Sequence, residues 1–238
     1  MNESMHCVRR RDAMSAHKLI FNPIYIVSDF ESSLPEAINL QFPNATHMGC
    51  HFHFGQALWR RVQAVGLVTK YREEQPVRTF IECCNAFAFI PIGEVSIKFS
   101  ELVAQLSDSD KGQLAPFIDY FKLTWLSGTF PLQLWNKYGC DKHHRTNNAM
   151  ENWHGRINKL LPTHPNIFIF INAIKDDQAN AQITMAKADV GQSPPPSKPK
   201  YRKLEDKLTK AYEKHVSGVI DTNQFLRKVQ HCVNVFKD

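Results

Sequence analysis

No stretch of this 238-residue sequence approaches the ~18 consecutive apolar residues that a membrane-spanning helix needs. The longest apolar run late in the chain, Ile167 to Ile174, is broken by Asn172. Also missing is a secretory signal, because MNESMHCVRRRDAMSAHK at the start contains no apolar core. These absences predict an intracellular protein with no membrane partner. Six cysteines (Cys7, Cys50, Cys83, Cys84, Cys140, Cys232) include one adjacent pair but no C-x-x-C, a poor disulfide framework for a chain this long. Reduced thiols are expected, free to ligate a metal. There is no internal repeat.

What is present is ordinary for a globular protein: 43% hydrophobic residues, 22% charged, and length for one core with or without a small appendage. The net charge of +6 is unevenly placed. Met1 to Met185 carries 18 Lys and Arg against 17 Asp and Glu, whereas Ala186 onward carries 11 against 6. The basic character therefore describes the C-terminal segment and its partners, not the main domain.

Ile24 to Val27 (IYIV) is a continuous apolar, β-branched run, the pattern of a strand buried on both faces. Ser33-Leu34-Pro35-Glu36 reads as a capping box opening a helix. A short strand through Thr46 to Cys50 and a helix from about His53 to Val65 follow, so the local order strand, helix, strand, helix predicts an α/β layer. From Arg72 to about Tyr138 the segments TFIECCNAFAFI, VSIKFSELVAQL and APFIDYFKLTWL are each helical in pattern. Further helices are expected from about Asn147 to Pro162 and across NIFIFINAIKDDQANAQITMAKA. GQSPPPSKPK (191–200) is a Pro-rich linker, and two short helices are expected in Tyr201–Val216 and Asn223–Phe236.

Four motifs carry chemistry. Asp29 follows an apolar strand, where α/β folds commonly place functional groups, and a carboxylate there can ligate Mg²⁺. A plain turn or pre-helix role is the other reading of that position. Glu151 and His154 stand at i, i+3 and can address one metal or one phosphate, although an acid in a first turn also simply suits the helix dipole. Cys50 and His53 form C-x-x-H, as do Cys140 and His143; thiolate plus imidazole suits Zn²⁺, which needs four ligands where each motif offers two. Lys198, Lys200, Arg202 and Lys203 in SKPKYRK are candidate DNA-phosphate contacts or an import signal, against the alternative of a solvated helix face.

Taken in order, SDFE after the strand, GCHFHFGQALWRRVQ, WLSGTFPLQLWNKYG and RTNNAMENWHGRINKLLPTHPNIFIFI resemble the transposase domain of Mutator-like elements (MULE). The likeness runs from about Pro23 to the late 170s, and the helices from Tyr201 resemble the tail often attached to that domain. It implies an α/β fold: a partial RNase H-like domain at 23–190 with an all-helical insertion at about 72–138, after an N-terminal segment 1–22 and before the linker 191–200 and a basic helical tail 201–238. It implies a DDE triad of carboxylates, with Asp29 matching the second acid, Glu151 the third, and Cys50/His53 the family's C-x-x-H. His154 matches a common family histidine of supporting role. The implied cofactors are Mg²⁺ or Mn²⁺, with Zn²⁺ at the C-x-x-H; DNA is the implied partner, a homo-oligomer the implied assembly and the nucleus the implied location.

Strand cleavage and joining develop charge on phosphoryl oxygens, and two Mg²⁺ about 4 Å apart can activate the nucleophile and stabilise the leaving oxygen. Three carboxylates hold such a pair. The family's first Asp lies on a strand well upstream of the second, yet only 28 residues precede Asp29, and Asp12 sits in a polar, helix-like context. The expectation is a fragment or domesticated derivative of a metal-dependent transposase, inactive alone. The alternative is a non-catalytic DNA- or protein-binding module of the same descent.

Overall fold

Two strands, β1 (Tyr25–Ser28) and β2 (Thr46–Gly49), pair in parallel with Tyr25 opposite Thr46 and Ser28 opposite Gly49. Parallel neighbours need a crossover, and α1 (Leu34–Gln41) supplies it, burying Leu34 and Ile38. In this computed structural model the described residues are 22–141, 144–146, 148–192 and 199–233, with side chains described at all but 148–152, 200 and 201.

Two local expectations are corrected here. Ser33 has helical backbone angles (φ −81°, ψ −20°), and its hydroxyl donates to Glu31 Oε1 at 2.9 Å instead of accepting from a helix N–H. The capping box is therefore not formed, since a cap requires extended backbone at that residue. The strand is also not buried on both faces: Ile24 is 71% and Tyr25 47% exposed. β2 is its one strand neighbour among the described residues, so a run suited to the middle of a sheet lies at an edge.

The rest is helical. α2 (His51–Ala64) leaves the end of β2, followed by α3 (Val68–Glu73), α4 (Gln75–Ala86), 3₁₀ turns at Phe87–Phe89 and Ile92–Glu94, α5 (Val95–Ala104) and α6 (Asp108–Phe121). α6 runs into a π turn at Lys122–Leu126, and the short α7 (Leu132–Trp135) follows. The protein is thus mostly helical with a small two-stranded parallel sheet. No helix among the described residues is long and apolar enough to cross a membrane.

The chain divides into two units, Met1–Thr146 with Leu204–Asp238, and Asn147–Lys203. In the first, the helices at the end of the chain, α10 (Pro199–Val216) and α11 (Thr222–Cys232), send Leu208, Ala211, Phe225, Leu226 and Val229 into the core shared by α2, α4 and α6. Polar ties fix that docking: Cys83 Sγ donates to Gln230 Oε1 at 2.9 Å, and Asn85 Nδ2 to the Val233 carbonyl at 2.9 Å. A capping box at Asp221 and Gln224 starts α11, and Gly218, at φ +74°, makes the turn before it without the penalty a side chain would meet. The second unit holds α8 (Asn148–Leu160) and α9 (Ile167–Asp189). Asp177 on α9 accepts from Trp153 Nε1 and Arg156 Nη2 on α8, each at 2.6 Å, and these bonds hold its carboxyl below the usual range.

Phe54 joins the sheet end to the helical core. Its ring stacks on Trp135 (4.8 Å, 8°) and meets Trp125 edge-on at 4.8 Å, while Trp125 also meets Phe30, just past β1, at 4.9 Å. Trp135 donates its indole N–H to the Trp125 carbonyl at 2.9 Å. Phe54→Ala should lower the unfolding free energy by about 3–5 kcal/mol, read by urea denaturation. A loss under about 1 kcal/mol would show that the ring is not the wedge described.

Candidate functional site

The carboxyl ends of both strands lie at one edge of the sheet, and the candidate residues of the first unit gather there. Asp29 directly follows β1 and is exposed. Cys50 directly follows β2, donates its N–H to the Ser28 carbonyl at 2.6 Å and stands as the N-cap of α2 with no solvent exposure. His53 lies in the first turn of α2, three residues on, so Cys50 and His53 share a helical face. Ser28 Oγ sits 2.7 Å from His47 Nε2 and bridges the two strands. Gly49 is the residue this edge admits, because a Cβ there would overlap the Phe30 ring.

The segment before Thr146 closes over the edge. His51 N–H donates to the Arg145 carbonyl at 2.8 Å, and Arg145 Nη1 donates to both Glu205 oxygens at 2.8 and 3.1 Å, tying this segment to α10. Beneath it lies Lys137, 1% exposed, its ammonium without a hydrogen-bond partner among the described residues. Burial pushes the Lys137 amine down to about 8, against the opposing pull of the Cys140 and Cys50 thiols. His51 is fully buried, and burial, then the Lys137 charge, push it down to about 3, so the imidazole is neutral. Burial and Lys137 lower His47 in the same order. Burial raises the Cys140 thiol, with Lys137 and Arg145 opposing. A cavity of about 230 Å³ opens alongside, lined by Lys137, Tyr138, Cys140, Arg145, Leu208 and Tyr212 among others.

Some sequence candidates come together in the first unit, and others belong to the second. Cys50 and Cys140, one thiol from each C-x-x-H, bear on the same buried lysine, while His143 lies outside the described residues. Glu151 and His154 belong to α8 in the second unit; His154 is exposed beside the Trp153 ring, and the Glu151 side chain is outside the described set. Arg202 and Lys203 on α10 are exposed, Lys198 is outside the described residues, and Lys200 is described by its backbone alone. Among the described residues no group of three or more His, Cys, Asp or Glu side chains is placed to hold a metal ion. Sequence reasoning missed Lys137 and Arg145. The signal for Lys137 was a lone cation inside the aromatic stretch LWNKYG.

No protein-family model matches the chain, and neither a curated protein nor a solved structure matches it.

The lysine makes a pH prediction. Its folded value lies below the ordinary 10.5, so between about 8 and 10.5 the unfolded chain binds more protons than the folded one. Stability contributed at this position therefore rises with pH across that window, and the burial penalty is fully present below it. Lys137→Met, similar in length and uncharged, should be more stable than the parent at pH 7, by on the order of 3 kcal/mol. The gap should close by pH 10.5, as read by urea unfolding of both proteins at several pH values across that window. A variant less stable at neutral pH would show that the ammonium is compensated in solution.

Proposed function

We propose that this chain is a fragment or domesticated derivative of a DDE-type transposase of the Mutator-like class, a partial RNase H-like unit that does not cleave DNA alone. The supporting observation is the shared sheet edge: an exposed Asp29 after β1, and Cys50 with His53 directly after the parallel β2. That is the arrangement the resemblance requires of its second acid and its C-x-x-H.

Fit to the metal chemistry is incomplete. Mg²⁺ or Mn²⁺ is held through oxygen ligands, usually one or two carboxylates plus substrate phosphates. Two-metal cleavage needs more, and among the described residues no group of three or more His, Cys, Asp or Glu accompanies Asp29; Glu31, two residues on, accepts from Ser33. Asp29 suits one anchoring position, and no cleavage step is derived from it. Zn²⁺ at Cys50/His53 is likewise two ligands short of a structural site. DNA as partner, nuclear location and self-association belong to the same proposal.

A second reading, a non-catalytic DNA- or protein-binding derivative, is favoured by α9, where Ile167 (61%), Phe168 (74%) and Met185 (67%) are exposed and no residue is buried. Apolar surface of that extent marks interaction sites more often than solvated helix.

Incubating the full chain with supercoiled plasmid in Mg²⁺ or Mn²⁺ distinguishes the readings. The expected result is no nicking above a metal-free control. Nicking that Asp29→Asn and Glu151→Gln each abolish would make the chain a competent enzyme and overturn the inactive-fragment reading. Nicking that survives both substitutions would remove the DDE assignment altogether.

A further inference from the structure

Residues of α10 and α11 line a second groove, of about 340 Å³: Leu204, Lys207, Lys210, Ala211, Lys214, Lys228, His231 and Cys232. Lys207, Lys210 and Lys214 recur at i, i+3 and i+7, which sets them in one row along α10. Lys228 and His231 repeat the i, i+3 spacing on α11 and form the facing wall. Both rows flank the face that docks on the core: Leu208, Phe225, Leu226 and Val229 are buried, Ala211 is shared between core and groove, and all four lysines are exposed.

The lining contains no carboxylate. Among the described residues none of the four ammonium groups is in an ion pair. Glu205 holds Arg145 and Asp221 caps α11, while Asp206 and Glu213, exposed on α10, do not line the groove. Four like charges within one groove repel one another, a cost that an anionic occupant removes. The floor offers only Leu204, Ala211 and the half-buried Cys232, too little apolar surface to anchor the side chains of a docked helix. Lysine is a point charge on a flexible stem and suits phosphates of any sequence.

We propose that this groove binds the phosphodiester backbone of a nucleic acid without reading its sequence. It deepens the proposed function by naming the surface that would hold DNA, and it uses none of the acids on which cleavage depends. The positions anticipated from sequence, Lys198, Lys200, Arg202 and Lys203, precede it along the chain.

Fluorescence anisotropy of the full chain with a labelled random-sequence duplex of about 30 base pairs, in EDTA, tests the groove separately from metal chemistry. The readout is affinity across roughly 50–200 mM KCl. Lys207→Glu/Lys210→Glu/Lys214→Glu/Lys228→Glu should bind at least about tenfold more weakly and flatten the plot of log affinity against log salt by about 3.6 in slope, from the ~0.9 expected for each phosphate no longer neutralised. Circular dichroism and the midpoint of thermal unfolding should match the parent, because all four positions are exposed. The control Lys122→Glu/Lys187→Glu, exposed lysines outside the groove, should stay within about twofold of the parent. Duplex affinity and salt slope unchanged in a folded quadruple variant would overturn the proposal. Tighter groove-dependent binding of poly-glutamate than of duplex would also overturn it, in favour of an acidic protein partner. Binding abolished in the variant while the parent shows no nicking upholds the groove and leaves the catalytic question to the plasmid assay.

Discussion

The contact of Phe54 with Trp135 and Trp125 is the one on which the sheet depends. Two parallel strands cannot support themselves in water, because they offer too few ladder bonds and too little buried face. Here the sheet persists because α2 leaves β2 without a loop and drives Phe54 into the aromatic core, while Phe30, just beyond β1, meets Trp125 from the other strand. Both strand ends are thereby tied to the same tryptophan. The position of Asp29 and Cys50 at a common edge is a consequence of that packing more than of the strands' own pairing.

Charge organises the same edge in an unusual way. An ammonium buried without a carboxylate is costly, and its field reaches both C-x-x-H thiols and two histidines. The cation opposes protonation of His47 and His51, whereas at Cys140 burial outweighs its pull and raises the thiol. Neutral imidazole is the protonation state in which histidine ligates metal. The same positive charge repels an incoming dication, so the lysine pushes ligand and metal in opposite directions. Two thiols beside Lys137 therefore describe a polarised edge more accurately than a finished zinc site.

How much of this was legible in the sequence differs by element. Helix periodicity in VSIKFSELVAQL and APFIDYFKLTWL reported true structure because those helices bury one face, through Val95 and Phe99 and through Phe117, Ile118 and Phe121. The IYIV run misled about burial, since its composition describes a strand with neighbours on both sides and β1 has one among the described residues. Ser33 misled for a local reason: its hydroxyl is captured by Glu31, two residues back, and its backbone is already helical. Lys137 and the α10/α11 groove were invisible because both are products of long-range packing. A lysine at i, i+3 and i+7 is an ordinary solvated stripe until a second helix supplies the facing wall. Charge counting located the excess positive charge toward the C-terminal end but could not show which of its lysines share a groove.

Binding and cleavage make different demands on a chain of this kind. Cleavage requires several carboxylates in one constellation, so the loss of one removes it, whereas backbone binding is a sum of nearly independent point charges and degrades one phosphate at a time. The groove draws its lysines from a helix pair fixed by Leu208, Ala211, Phe225, Leu226 and Val229, none of which belongs to the sheet edge. Its geometry follows from the helical core, which Phe54 and the tryptophans complete without any contribution from Asp29. On the proposed reading, a derivative with an incomplete acid set would therefore keep a polyanion surface for purely physical reasons.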